Sequence, residues 1–124
     1  MKTAILVLSD PAAGTEEALG RVFNALAVAY DCKHNGDAVS VIFMGAGTRW
    51  VKELDDPDNP AHELFDAVRD TVAGASCGCA DVFGAAQDIR QSEFPFVSDN
   101  NIPGTSGLPG IRRLLANGYS VLAF

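Results

Sequence analysis

The sequence predicts a three-layer α/β/α sandwich on a mostly parallel sheet of about five strands. Three observations lead there. The chain opens on a short, continuous aliphatic run, Thr3 to Leu8, the pattern of a strand covered on both faces. Helical periodicity then alternates with β-branched runs along the whole chain, and short crossovers between such strands demand parallel pairing. The length of 124 residues suits one domain, spanning 1–124, large enough to fold without disulfide staples or a structural metal.

The elements follow in order. After the first strand, Ser9 to Gly14 forms a turn, and Thr15 caps a helix whose first turn holds Glu16 and Glu17. Leu19, Val22, Phe23, Leu26 and Tyr30 mark its apolar stripe, and Asn35-Gly36-Asp37 ends it. Ala38 to Met44 is the second strand, leaving through Gly45-Ala-Gly47-Thr48. A short helical turn over Arg49 to Leu54 and an acidic loop follow; Asn59 and Pro60 then open a helix carrying Leu64, Phe65, Val68 and Val72. Gly74 to Ala80 is read as the third strand, because a helix precedes it and another, starting near Asp81, follows. Gln91 to Thr105 is a long polar connection with two prolines. Ser106 caps a last helix with Leu108, Ile111, Leu114 and Leu115 inward, and Tyr119 to Phe124 closes the sheet as a buried strand. The expected core comprises Leu6, Val7, Leu19, Phe23, Leu26, Val41, Phe43, Phe65, Val68, Leu114 and Val121.

Nine Lys and Arg against sixteen Asp and Glu give a net charge of −7, a field that repels nucleic acid and anionic membrane surfaces. The basic residues are scattered, Arg112 and Arg113 being the one adjacent pair. Ala4 to Leu8 is far too short to span a bilayer and is followed by Ser9 and Asp10 rather than a cleavage site, so a soluble, unprocessed chain is expected. Three cysteines, Cys32, Cys77 and Cys79, fit a reducing cytoplasm better than a secreted scaffold.

Ligands of open α/β sheets sit beyond the carboxyl ends of the strands. Candidate ligand-binding residues are therefore Ser9, Asp10, Gly45, Gly47, Thr48 and Asp81. The Gly-Ala-Gly-Thr exit has amides that can cradle an anion, but it lacks the dinucleotide and P-loop fingerprints, and tight-turn glycines explain it more simply. Cys77-Gly78-Cys79 is the stronger chemical signal. A thiol where a strand hands over to a helix is favoured as thiolate, while burial as a core residue is the competing reading. On a strand the two cysteines would share a face about 6.6 Å apart, within reach of a disulfide once Gly78 bends. Two soft ligands are too few for zinc, and nothing in the chain implies a cofactor. Cys32 and His34 belong to the last turn of the first helix, and His62 is expected to be solvated.

The opening strand with its Asp-Pro turn, the Gly36-Asp37 helix end before Val39 to Phe43, the Gly45 to Thr48 exit, a cysteine after the third strand, and Asn117-Gly118-Tyr119 before the last together resemble the DsrE/DsrF-like family. The resemblance implies assembly into trimers or hexamers and, in the sulfur-relay members, a persulfide on a cysteine near the third strand. Cys79 matches that position best, with Cys77 one pleat earlier. Many relatives have a single cysteine there or none. The resemblance therefore implies a sulfur carrier, with donor and acceptor proteins as partners, Cys79 as bearer and Cys77 resolving or protecting it. The alternative is a non-catalytic oligomeric module holding a small anionic or nucleotide ligand at the strand-end crevice. Trp50, Phe94 and Phe96, in segments read as turns and loops, are expected to anchor the oligomer contact.

Overall fold

A computed structural model describes residues 1–124 and contains five strands: β1 (Lys2–Val7), β2 (Ala38–Phe43), β3 (Val72–Ser76), β4 (Phe96–Val97) and β5 (Ser120–Ala123). Their order is β4-β3-β2-β1-β5 and every pairing is parallel. Six helices accompany them: α1 (Glu16–His34), α2 (Trp50–Asp55), α3 (His62–Val68), α4 (Cys77–Val82), α5 (Ala86–Arg90) and α6 (Ile111–Ala116). None is long and apolar enough to cross a membrane.

The chain steps from β1 to β4 in one direction, so right-handed crossovers lay α1 to α5 on one face of the sheet. Only the return to β5 runs the other way. Pleating sends Ile5, Val7, Val41, Phe43 and Ala75 to the first face, where they form the core with α1, α2 and α3. Phe65 sits edge-on between Phe43 and Phe94, at 6.3 and 5.8 Å between ring centroids. The opposite face shows Ser40 and Ile42 to a groove of about 510 Å³ walled by Phe96, Leu114 and Tyr119.

Several elements differ from expectation. The third strand ends at Ser76 instead of Ala80: the Ser76 hydroxyl accepts the Cys79 N–H at 3.3 Å, and that cap starts α4 four residues earlier than Asp81. The connection before the last helix contains β4, two residues too short to leave a periodicity. Ser106 caps nothing, since Pro109 and Gly110 delay α6 to Ile111. The last strand is no buried strand but an edge, with Leu122 exposed and Val121 and Leu114 half-buried. Phe23 is 43% exposed and Leu19 half-buried because the inward stripe of α1 runs through small residues, Ala18, Val22, Ala25, Leu26, Ala29 and Cys32. Trp50 and Phe94 are core residues, 4% and 9% exposed, and cannot anchor an outer contact. The cap at Thr15 is as read, its hydroxyl accepting the Ala18 N–H at 3.1 Å.

His62 is not solvated. Its ring nitrogens face the Leu54 carbonyl at 2.7 Å and the Asp66 carboxylate at 3.2 Å. Asp66 in turn accepts from Arg69 at 2.6 Å, and Arg69 also reaches Asp55 at 2.9 Å while lying 4.6 Å over the Phe65 ring. This network ties α2, α3 and the entry to β3 together at the end of the sheet remote from the strand exits. The Arg69 hydrogen bond holds the Asp66 carboxyl below its usual value of 3.8, and the Lys33 hydrogen bond does the same for Asp70.

Two predictions follow from packing and charge. A Cβ on Gly47 would stand 2.1 Å from the Val7 carbonyl oxygen, whereas one on Gly20 meets nothing within 4 Å. Gly47→Ala should therefore destabilise by about 3 kcal/mol or more, and Gly20→Ala should stabilise by up to about 1 kcal/mol, both read from urea midpoints. Depressed carboxyls stabilise the fold above their ordinary pKa and lose that contribution as pH falls through the lower folded value. Asp66→Asn should lower Tm at pH 7 and leave it near wild type at about pH 2, flattening the acid limb; an equal loss at both pH values would contradict the assignment.

Candidate functional site

Each strand on the left of the chain's path ends beside the next element's beginning, and three such exits meet at the carboxyl end of the sheet. The exit of β3 carries the thiols. Ser76, fully buried, is both the last residue of β3 and the cap of α4, so Cys77 and Cys79 occupy the first and third positions of that helix. Both thiols are free and half-buried. Gly78 between them is buried; its N–H donates to the Gly107 carbonyl at 2.7 Å, and a Cβ there would come within 2.7 Å of the Leu108 methyl. Glycine is required because the 104–108 segment lies directly on the turn.

This geometry corrects the strand-based picture of the pair. Residues two apart on a helix project to opposite sides, so Cys77 and Cys79 do not share a face and cannot be bridged without moving backbone. Both now stand within the first turn, so distance from the helix amides does not separate them.

Asp81 lies one turn on and accepts the Ser106 hydroxyl at 2.6 Å, walling with Gly78, Val82, Gly104 and Thr105 a cleft of about 430 Å³. The other candidate residues are elsewhere. Gly45, Gly47 and Thr48 form a tight 3-10 turn after β2, with Gly47 and Thr48 buried and the Thr48 hydroxyl spent on the Gly45 carbonyl at 2.8 Å. Ser9 and Asp10 line a separate crevice of about 340 Å³ between the ends of β1 and β5, together with Thr15, Glu17, Arg21 and Phe124. The Ser9 hydroxyl donates to the Ala18 carbonyl at 3.2 Å and accepts from the Trp50 indole at 3.1 Å. The candidate ligand residues are thus divided among three places.

Arg49 is the residue that sequence reading missed. Its guanidinium holds both Asp10 carboxylate oxygens at 3.1 Å, donates through Nε to the Phe83 carbonyl at 3.0 Å and rests 5.7 Å from the Phe83 ring. It ties the exit of β1 to the far end of the thiol helix. An arginine directly after the glycine exit, with an unpaired aspartate in the preceding exit, was the available signal. No three His, Cys, Asp or Glu side chains converge as metal ligands.

The model of the DsrE/DsrF-like family matches residues 1–124. None of the curated proteins matches the chain.

The tether makes a prediction of its own. Arg49→Met keeps the stem but leaves Asp10 and the Phe83 carbonyl without their donor. Amide exchange in α4 should accelerate by about tenfold while exchange in α1 stays unchanged; uniform acceleration would mean that Arg49 supports the whole fold rather than the thiol helix.

Proposed function

The chain belongs to the DsrE/DsrF-like family over its whole length, and from that premise we propose that it is a sulfur carrier that holds sulfane sulfur as a persulfide on the Cys77-Gly78-Cys79 turn. The observation that carries this reading is the pair of free, half-buried thiols in the first turn of the helix that follows β3. Persulfide exchange needs a thiol that a donor can reach, which a half-buried side chain at the end of a strand provides. Cys79 is the bearer, the position that the family resemblance favours, and Cys77 is the resolving thiol. In loading, the Cys79 thiolate attacks the outer sulfur of a donor persulfide, the donor's sulfur–sulfur bond breaks, and the donor leaves as its thiolate. Delivery to an acceptor thiolate repeats the exchange in the other direction.

The proposal includes a cytoplasmic, homo-oligomeric protein, a trimer or hexamer, working with separate donor and acceptor proteins. Support for assembly comes from α6, which has no buried residue although four of its six are apolar, and from the exposed side chains of Leu115 on α6 and Leu122 on the edge strand. The crevice between β1 and β5 favours the anion-binding alternative less, because Asp10 and Glu17 face it and Arg21 is paired with Glu17 at 2.7 Å.

Intact-mass measurement after incubation with a small-molecule persulfide tests the reading directly. Wild type should gain one sulfur atom, Cys79→Ser none, and Cys77→Ser should load but release its sulfur at a different rate. Unchanged loading in Cys79→Ser assigns the wrong thiol, and no loading of wild type rejects the function. Light scattering should find an oligomer at micromolar concentration; a strict monomer would remove assembly from the proposal.

A further inference from the structure

The segment after β4 closes on itself and then grips the thiol turn. Asn100 and Leu108 exchange backbone hydrogen bonds at 2.8 and 2.9 Å, closing a loop whose residues 101–106 are all exposed. The near end of that loop is held on α4 by three contacts. The Gly107 carbonyl accepts the Gly78 N–H at 2.7 Å, the Ser106 hydroxyl donates to Asp81 at 2.6 Å, and the Leu108 side chain lies against the bare α-carbon of Gly78. Gly107 itself is fixed from behind, with φ of 102° and the Ser98 carbonyl 2.7 Å from where a Cβ would stand. The strap therefore bears on the residue between the two cysteines.

We propose that the 100–108 strap is a redox-coupled latch that keeps Cys77 and Cys79 apart. While α4 keeps its first turn, the two thiols project to opposite sides and cannot join. Joining them requires that turn to unwind, which moves Gly78 and Cys79 and breaks the Gly78 bond to Gly107 and the Cys79 bond to Ser76. Strap release and Cys77–Cys79 disulfide formation are thus one event. The consequence for the carrier rests on the function proposed above. A Cys77 thiolate that reached a Cys79 persulfide would attack its inner sulfur, form the Cys77–Cys79 disulfide and expel the carried sulfur as hydrosulfide. A closed strap prevents that loss and leaves the sulfur on Cys79 for an acceptor thiolate.

The latch is tested without any sulfane sulfur, so its failure is distinct from failure of the carrier reading. Oxidised glutathione serves as the oxidant. One cysteine thiolate attacks its disulfide and releases one glutathione thiolate; the second cysteine then displaces the other, and the two cysteine protons go to the two glutathiones. Wild type should form the intramolecular disulfide slowly, seen as a mass lower by two hydrogens with no glutathione retained. Ser106→Ala, which removes one charge-assisted hydrogen bond, and Leu108→Ala, which removes the packing on Gly78, should each form it about tenfold faster. Buried Cys32 reports folding, because it stays unreactive in any variant that remains folded. Hydrogen exchange on unmutated protein gives an independent reading: oxidation should strip protection from the Gly78 and Cys79 amides while leaving β1 and β2 protected. Equal oxidation rates in folded variants, or an oxidised protein that retains protection at Gly78 and Cys79, overturns the latch.

Discussion

The handedness of the strand crossovers is the constraint from which the rest of the molecule follows. Because the first four strands step one way across the sheet, α1 to α5 share a single face. Most of the large side chains of the core accumulate there: Phe43, Phe65, Leu26, Leu54 and Ile89 are fully buried on that side, against Leu6 and Ile42 on the other. The return to β5 supplies only α6 for the other face. Ala4 and Ser40, small residues on that face, match its thin covering, and the groove beside Ile42 is what one short helix leaves uncovered.

The same stepping brings the strand exits together at one end of the sheet, where local contacts divide them again. Gly47 packs its turn against the Val7 backbone, Arg49 spans from Asp10 to Phe83, and Ser76 converts a strand end into a helix start within one residue. These contacts fix α4 at both ends, by the Ser76 cap at its start and the Arg49 tether at its finish. The charged network around Arg69 lies at the opposite end, leaving the Arg49–Asp10 pair as the ion pair that bears on the thiol helix.

Much of the fold was legible because large apolar residues leave periodic traces. The runs in β1 and β2, the cap at Thr15 and the alternation of elements all do so. The misreadings of the thiol turn and of α1 have a common physical origin in small residues. Gly74 to Ala80 has no side chain larger than cysteine, so neither a strand nor a helical period registers, and the Ser76 cap was the one local signal of the boundary. Half of the buried stripe of α1 is alanine, which lets the helix approach the sheet closely and leaves Phe23 and Tyr30 outward. At the site, the sequence located the cysteines at the exit of the third strand but placed them on the wrong backbone, and with that their mutual orientation. The contacts of Ser106 and Arg49 join residues 25 and 39 positions apart, a separation that no local pattern encodes.

The unevenness of the two faces also distributes stability unevenly along the chain. The unit formed by α6 and β5 contributes no fully buried side chain, and its hold on the sheet is the parallel ladder to β1. Such a unit opens at a lower free energy than the core, ahead of global unfolding. Opening uncovers the backbone edge of β1, a six-residue strand whose last five residues are buried and apolar apart from Thr3. That edge is a template for pairing with another chain, so crowding and concentration act on this protein first through the detachment of its last strand.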